Sequence, residues 1–196
     1  MTRHTDTKQT LIEAGLATFR ANGYDATGVK ELTDAAKVPK GSFHYHFPDG
    51  KEAFAADVVD RYRTDMLTHG ERVLASGEAP LVRIWRYFDE VIPVYEVTFG
   101  CAQGCLLGNF SAEMADRSPA IRQSVKTAFA AWQEQFAAVL AEAKAAGALG
   151  SAIDPQELAG FLIDAWEGAL LRMKAEHSVA PLRRFQTFVL EPFMPR

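Results

Sequence analysis

The chain has 196 residues, 48% of them hydrophobic and 23% charged, with a net charge of −4, a balance that suits a globular fold and excludes a disordered, fibrous or wholly basic nucleic-acid-coating protein. No apolar run of about 18 residues occurs, and no apolar segment follows the polar start Met1-Thr2-Arg3-His4, so a cytoplasmic protein without a membrane partner is expected. The two cysteines are too few for a disulfide framework and are expected as thiols.

Proline and glycine punctuate the sequence at helix-like intervals and β-type alternation is almost absent, which predicts an all-α chain of about nine helices. Leu11, Ile12, Gly15, Leu16 and Phe19 form one apolar stripe that stops at Asn22-Gly23, a good C-terminal cap. Thr27 can cap a short second helix with Val29, Leu32 and Ala36 turned inward, and Pro39 suits the first turn of a third. Asp49 can cap a long fourth helix reaching Ser76-Gly77, and Pro80 opens a fifth that Pro93 disturbs. Gly100, Gly104 and Gly108 predict a bent connection with one short helix. Ser118-Pro119 and Asp154-Pro155 each read as a cap followed by a first-turn proline, opening helices over about 119–146 and 154–177. Pro181 opens a last helix ending near Glu191-Pro192. The division expected is a three-helix domain over 1–48 and a larger helical domain over 49–196, with the fourth helix as the joint. Residues 1–48 hold six Lys and Arg against five Asp and Glu, whereas the remainder carries 15 against 20, a skew that only permits DNA contact by the first part.

The informative segment runs from Thr27 to Lys51, where two short amphipathic helices meet across Ala36-Lys37-Val38, a turn of helix-turn-helix length. Phe43 and Phe47 can face the core together, which leaves Lys40 and His44 on the opposite face with Ser42 and Tyr45 beside them. Such groups contact phosphates and base edges, and Gly41 has no side chain to hold a DNA strand away. Lys51 in the first turn of the fourth helix opposes the macrodipole at a cost of roughly a few tenths of a kcal/mol. A phosphate at that helix N-terminus would reverse the sign. The competing interpretation is a small helical subdomain with a solvated polar face.

Pro39-Lys40-Gly41-Ser42-Phe43-His44-Tyr45-His46-Phe47, followed by Lys51-Glu52-Ala53-Phe54, resembles the recognition helix and fourth-helix start of TetR-family transcriptional regulators. The resemblance extends to the first helix ending in Asn-Gly-Tyr and to Thr27 and Val29, about a quarter of the chain. It implies that Thr27, Lys40, Gly41, Ser42, His44, Tyr45, His46 and Lys51 lie at DNA-facing positions, on a homodimer that binds a double-stranded operator and responds to a small-molecule inducer. Lys37 stands where many members have glycine, and a left-handed backbone there would cost roughly 1 kcal/mol. His44 replaces a commoner tyrosine, and Pro48-Asp49-Gly50 adds a residue before Lys51, which could shift its phosphate contact. In the family the last two helices form a four-helix dimer interface, for which Leu158, Phe161, Leu162, Ala165, Ala169, Leu182, Phe185, Phe188 and Val189 are the apolar positions here.

Cys101 and Cys105 are four residues apart, within reach of each other on a helix, although flanking glycines leave their geometry open. One interpretation is two small buried hydrophobes. The other makes Cys105 a sensor of electrophiles or oxidants, since Gly104-Cys105-Leu106-Leu107-Gly108-Asn109 and Trp166-Glu167-Gly168-Ala169 resemble the TetR-family branch that represses detoxification of reactive carbonyl compounds or acrylate. Lys174 is a candidate activating cation, or a lysine that reaches solvent. Trp85, Phe88, Phe110, Trp132 and Trp166, with Tyr95, Phe99 and Phe136, could line an apolar ligand pocket or simply fill a core. No cofactor and no metal are expected. A cysteine-dependent helical enzyme is a competing possibility, but His4, His44, His46, His69 and His177 form no recognisable triad or metal spacing. A protein-interaction module would leave the basic face unexplained. Within the regulator reading, a multidrug-type sensor with a non-covalent apolar ligand is the alternative to a reactive thiol.

Overall fold

A computed structural model describes the backbone of residues 2–193 and the side chains of residues 7–192. Among them are nine α-helices and no strand: α1 (Thr2–Asn22), α2 (Val29–Ala35), α3 (Lys40–His46), α4 (Gly50–Leu74), α5 (Pro80–Pro93), α6 (Leu106–Met114), α7 (Pro119–Ala145), α8 (Pro155–Glu176) and α9 (Ala180–Phe185). The strongest local signals place their helices as expected. Ser118 Oγ accepts from the Ile121 N–H at 3.1 Å, and the Asp154 carboxylate accepts from Gln156 and Glu157 at 2.8 and 3.1 Å. Pro93 ends α5 in a π-helical turn over Val94–Thr98, because a residue without an N–H cannot continue the i to i−4 ladder.

Two expected helix starts differ from the sequence reading. Gly28, not Thr27, precedes α2 and supplies no side-chain cap, and Pro39 precedes α3 instead of lying in its first turn. Thr27 is turned away from α2, and its hydroxyl donates to the Gly23 carbonyl at 2.7 Å. The turn between α2 and α3 holds Lys37 at φ +55°, with the Val38 N–H on the Thr33 carbonyl at 3.0 Å, so the left-handed strain anticipated from the sequence is present. Lys37→Gly is therefore expected to stabilise the chain by about 1 kcal/mol and to raise the thermal midpoint by about 2–4 °C. A melting curve by circular dichroism checks this, and an unchanged midpoint would show the strain to be relieved elsewhere.

The chain packs as two compact units, Met1–Thr64 with Cys105–Phe129, and Asp65–Gly104 with Ala130–Arg196. Compactness thus does not break at residue 48, and both α4 and α7 run from one unit into the other. In the first unit Phe54 of α4 is the centre of an aromatic core, 5.2 Å from the Phe43 ring, 4.7 Å from Phe47 and 5.9 Å from Phe19. In the second, Phe88 of α5 has that place, 5.5 Å from Phe136, 4.9 Å from Trp166 and 4.8 Å from Phe185. Arg83 is buried there and donates to the Leu74 carbonyl and the Glu142 carboxylate, which closes off the C-terminal end of α4.

Candidate nucleic-acid interface and sensor groups

The recognition face is built from the inside out. Phe43 and Phe47 are buried at 0% and 4% exposure, and their packing on Phe54 fixes the rotation of α3. Lys40, Gly41, His44 and Tyr45 then face outward, with Ser42 and His46 half-buried at the edge. Tyr45 is 69% exposed, and its ring meets that of His46 edge-on at 5.0 Å. A Cβ at Gly41 would meet nothing within 4 Å, so the front of α3 is open.

Thr27 and Lys51, grouped with that face on the sequence, are placed differently. Thr27 is fully buried, so its side chain has no surface to offer a duplex, and its role is to hold the loop after α1. The Lys51 ammonium donates to the Tyr24 and Thr27 carbonyls, both at 2.9 Å, and lies 3.9 Å from the Tyr24 ring centroid. Burial holds its pKa below the ordinary lysine range. The dipole penalty read from the sequence is thus offset from within the protein by two carbonyls and an aromatic face. Two of the three ammonium protons serve these carbonyls, which leaves one direction for a phosphate.

The same loop is gripped from the other side by α6. Glu113 accepts the backbone N–H groups of Tyr24 and Asp25 at 2.7 and 3.2 Å. Arg117 donates to the Asp25 carboxylate at 2.6 Å, a bond that, first among the causes, lowers the Asp25 pKa. Ser118 also pairs with Glu52 at the start of α4. Gly23 suits its φ of +81°, and a Cβ there would lie 2.2 Å from the Glu113 carboxylate, which would have to shift off the loop. None of this was legible in the sequence, because Glu113 lies 89 residues from Tyr24 and a carboxylate in a short helix carries no signal of its partner.

The sensor candidates separate. Cys105 is the residue immediately before α6, 3% exposed, with its Sγ 3.5 Å from the Tyr62 hydroxyl. Cys101 instead occupies a left-handed turn with Gly100, at φ +57° and +56°, and burial, then Glu96, pushes its thiol pKa up. The two cysteines do not share a helix. Phe110 packs 5.3 Å from Phe19 and 6.1 Å from Tyr24 in the core of the first unit, so it belongs to the support of the recognition face and is not grouped with the other aromatics. Phe88, Trp132 and Trp166 are buried in the second unit, Trp85 is half-buried on α5, and Lys174 is exposed near the end of α8. Among the described residues no cluster of His, Cys, Asp and Glu could hold a metal, and no helix is long and apolar enough to cross a membrane.

A helix-turn-helix with an open basic and hydroxylic face, followed by a separately packed helical unit, defines a DNA-binding transcriptional regulator. Residues 11–58 match the bacterial regulatory proteins of the tetR family, and residues 80–189 match the tetracyclin repressor-like C-terminal domain. The chain belongs to the TetR family. It is 36% identical to the HTH-type transcriptional repressor DhaR of Mycobacterium sp. (strain GP1), over 97% of this chain and 94% of that protein. It is likewise 36% identical to the transcriptional regulator AcuR of Cereibacter sphaeroides, over 90% and 80%. The crystal structure of reduced E. coli NemR superposes with a TM-score of 0.84 at 26% identity, covering 94% of this chain and 95% of that one. Both matched families and these relatives are transcriptional regulators, which leaves the cysteine-dependent enzyme without support. TetR regulators bind DNA operators, typically as dimers with small-molecule ligands.

Proposed function

We propose that this chain is a cytoplasmic repressor that binds a near-palindromic operator as a homodimer and is released by a small molecule or by modification of Cys105. The observation that carries the reading is the open outer face of α3, with Lys40, Gly41, His44 and Tyr45 exposed while Phe43 and Phe47 are locked inward. Ser42 and His46 extend the contact at its edge, and Lys51 adds a phosphate contact from the N-terminus of α4. Two such faces must reach successive major grooves about 34–36 Å apart. The names of DhaR and NemR as repressors support repression.

The surface for a second copy is carried by Phe161 and Leu171 of α8 and by Phe188 after α9, exposed at 54%, 62% and 74%. Leu162, Leu182 and Phe185 are buried within their own unit and serve its core. Exposed apolar side chains of this size on neighbouring elements suit a dimer contact.

Release through Cys105 has a physical route inside the first unit. The thiol is buried against Tyr62, so an adduct overpacks the site and must displace the start of α6. At the far end of α6, Glu113 grips the loop that leads into α2 and α3. A helix transmits such a shift stiffly, and the recognition faces lose their spacing. The alternative is a non-covalent apolar ligand among Trp85, Phe88, Trp132 and Trp166.

Selection of bound sequences from random DNA, repeated with an alkylating electrophile and with an inert apolar compound, tests the whole reading. A near-palindromic site is expected, with affinity lowered by the electrophile in the native chain and unchanged by it in Cys105→Ser. Full operator affinity after complete alkylation would reject the thiol route, and failure to enrich any sequence would reject the regulator.

A further inference from the structure

The second unit buries three polar side-chain atoms that have no hydrogen-bond partner among the described residues: His69 Nε2 on α4, and Trp132 Nε1 and Gln135 Oε1 on α7. Their placement is mutual. The His69 ring is 5.1 Å from the Tyr87 ring, and Tyr87 is 6.3 Å from Trp132. Gln135 lies one turn beyond Trp132 on α7, and its amide reaches back to α4, where Nε2 donates to the Leu67 carbonyl at 2.9 Å. A Cβ on Gly70, next to His69, would lie 2.0 Å from Gln135 Oε1, so this glycine makes the room that the amide oxygen occupies. The other buried orphan on these helices, Arg83 Nε, belongs to the group that closes the end of α4 at Leu74 and Glu142.

The hydrogen-bonding character of each atom is fixed by its neighbours. The bond to Leu67 orients the Gln135 amide, which leaves Oε1 as an acceptor. Arg72 Nη2 stands 3.3 Å from His69 Nδ1. A guanidinium only donates, so Nδ1 accepts and the ring proton sits on Nε2. Burial first, then Arg72, lowers the His69 pKa, against a smaller opposing effect of Glu90. The imidazole is thus neutral near neutral pH. Trp132 Nε1 can only donate, and the residue is 3% exposed. The result is two donors and one acceptor set among the Tyr87, Trp132 and Phe136 rings, in a place where unpartnered polar groups weaken the unit by themselves. Arg72, beside His69, is itself paired with Glu90, which balances the cation at this end of the site.

We infer that His69, Trp132 and Gln135 form the polar end of a ligand site for a small uncharged carbonyl compound that also carries an N–H or O–H, such as a primary amide or a hydroxyketone. The carbonyl oxygen takes the two N–H donors and the ligand's own N–H or O–H serves Gln135 Oε1, while the aromatic walls hold its apolar part. This rests on the second unit being the small-molecule sensor, and it changes the class of that molecule from purely apolar to hydrogen-bonding at one end.

Propionamide is the probe, with N,N-dimethylpropionamide as the analogue that lacks the donor and propionate as the charged one. The readout is the indole N–H resonance of Trp132 in the full-length ¹⁵N-labelled protein, assigned by Trp132→Phe, with Cys105→Ser as background so that thiol chemistry plays no part. Propionamide is expected to shift that resonance saturably, and Gln135→Met to weaken the response by about tenfold. The dimethyl analogue and propionate are expected to bind more weakly than propionamide by a similar factor. Gln135→Met replaces a side chain of similar length, and its melting curve distinguishes lost binding from lost fold. Should Gln135→Met not fold, the ranking of the three probes on the Cys105→Ser protein decides alone. A Trp132 resonance that no probe moves would mean that the three atoms are served by water only, and equal responses to all three probes would mean a non-selective cavity; either overturns the inference. Saturable, donor-dependent binding that leaves operator affinity untouched would uphold the site and overturn only the sensor reading.

Discussion

Lys40→Glu is expected to weaken operator binding by about 100-fold or more. Lys40 is fully outside the core, at the start of α3 and one turn from His44 on the exposed side. A charged hydrogen bond to phosphate contributes about 1.5–3 kcal/mol, and a dimer loses two of them. Two losses at the lower end already amount to about 3 kcal/mol, or roughly two decades in Kd, before repulsion of the new carboxylate is counted. The salt dependence is the more specific readout, because each released phosphate contact lowers the slope of log K against log salt by about one, so the variant dimer should lose about two. Stability should stay within about 0.5 kcal/mol of the native chain, as for other exposed substitutions. An unchanged slope in a folded variant would show that this side of α3 does not face a phosphate backbone, and with it the operator reading would fail.

Local chemistry was readable from the sequence, whereas long-range partners were not. The caps at Ser118 and Asp154 involve donors two or three residues away, so residue type alone was enough. The inward pair Phe43 and Phe47 followed from helical spacing in the same way, and with it the outward set. Lys37 was recognised as a strained position because its place in the turn, not its surroundings, dictates φ. Thr27 was misplaced because its hydroxyl had two local options, the α2 N-terminus and the Gly23 carbonyl, and the fold of the preceding loop chose the second. Lys51 was recognised as a cation needing an oxygen partner, yet the carbonyls that serve it lie 24 and 27 residues away. Phe110 was an aromatic of unknown allegiance until α6 packed in the first unit. Glu113 was invisible, although it ties the start of the recognition element to the helix that follows Cys105.

The candidate site therefore depends less on its own exposed residues than on what holds α3 from behind. Those supports are of two kinds. Polar ones, Lys51 and Glu113, fix the loop before α2 through backbone groups, and each can be moved by whatever moves its own helix. The apolar one, Phe54 with its surrounding rings, has no such freedom and sets the pose of α3 outright.

Gly15→Ala probes that apolar support and should destabilise the chain by about 2 kcal/mol, despite being a substitution that helix propensity favours. Inside a helix the exchange alone gains about 0.5–1 kcal/mol. Here the new Cβ would lie 2.5 Å from Phe54 Cζ, 2.8 Å from Cε1 and 3.0 Å from Val58 Cγ2. Phe54 is fully buried and its ring is enclosed by Phe19, Phe43 and Phe47, so it cannot swing aside and α1 must draw away from α4. Overpacking of this kind costs about 1–3 kcal/mol, and a contact this short belongs at or above the upper end. The clash outweighs the propensity gain, and the thermal midpoint should fall by about 4–8 °C. Because the crowded ring is the one on which Phe43 and Phe47 rest, operator affinity should fall as well, even below the melting range. Gly41→Ala is the contrasting case: its Cβ meets nothing within 4 Å, so stability should hold or rise, and any loss of operator affinity reports a backbone that DNA approaches closely. If Gly15→Ala instead raised the midpoint, α1 and α4 would have slack between them, and the rigid backing assigned to the recognition face would have to be abandoned.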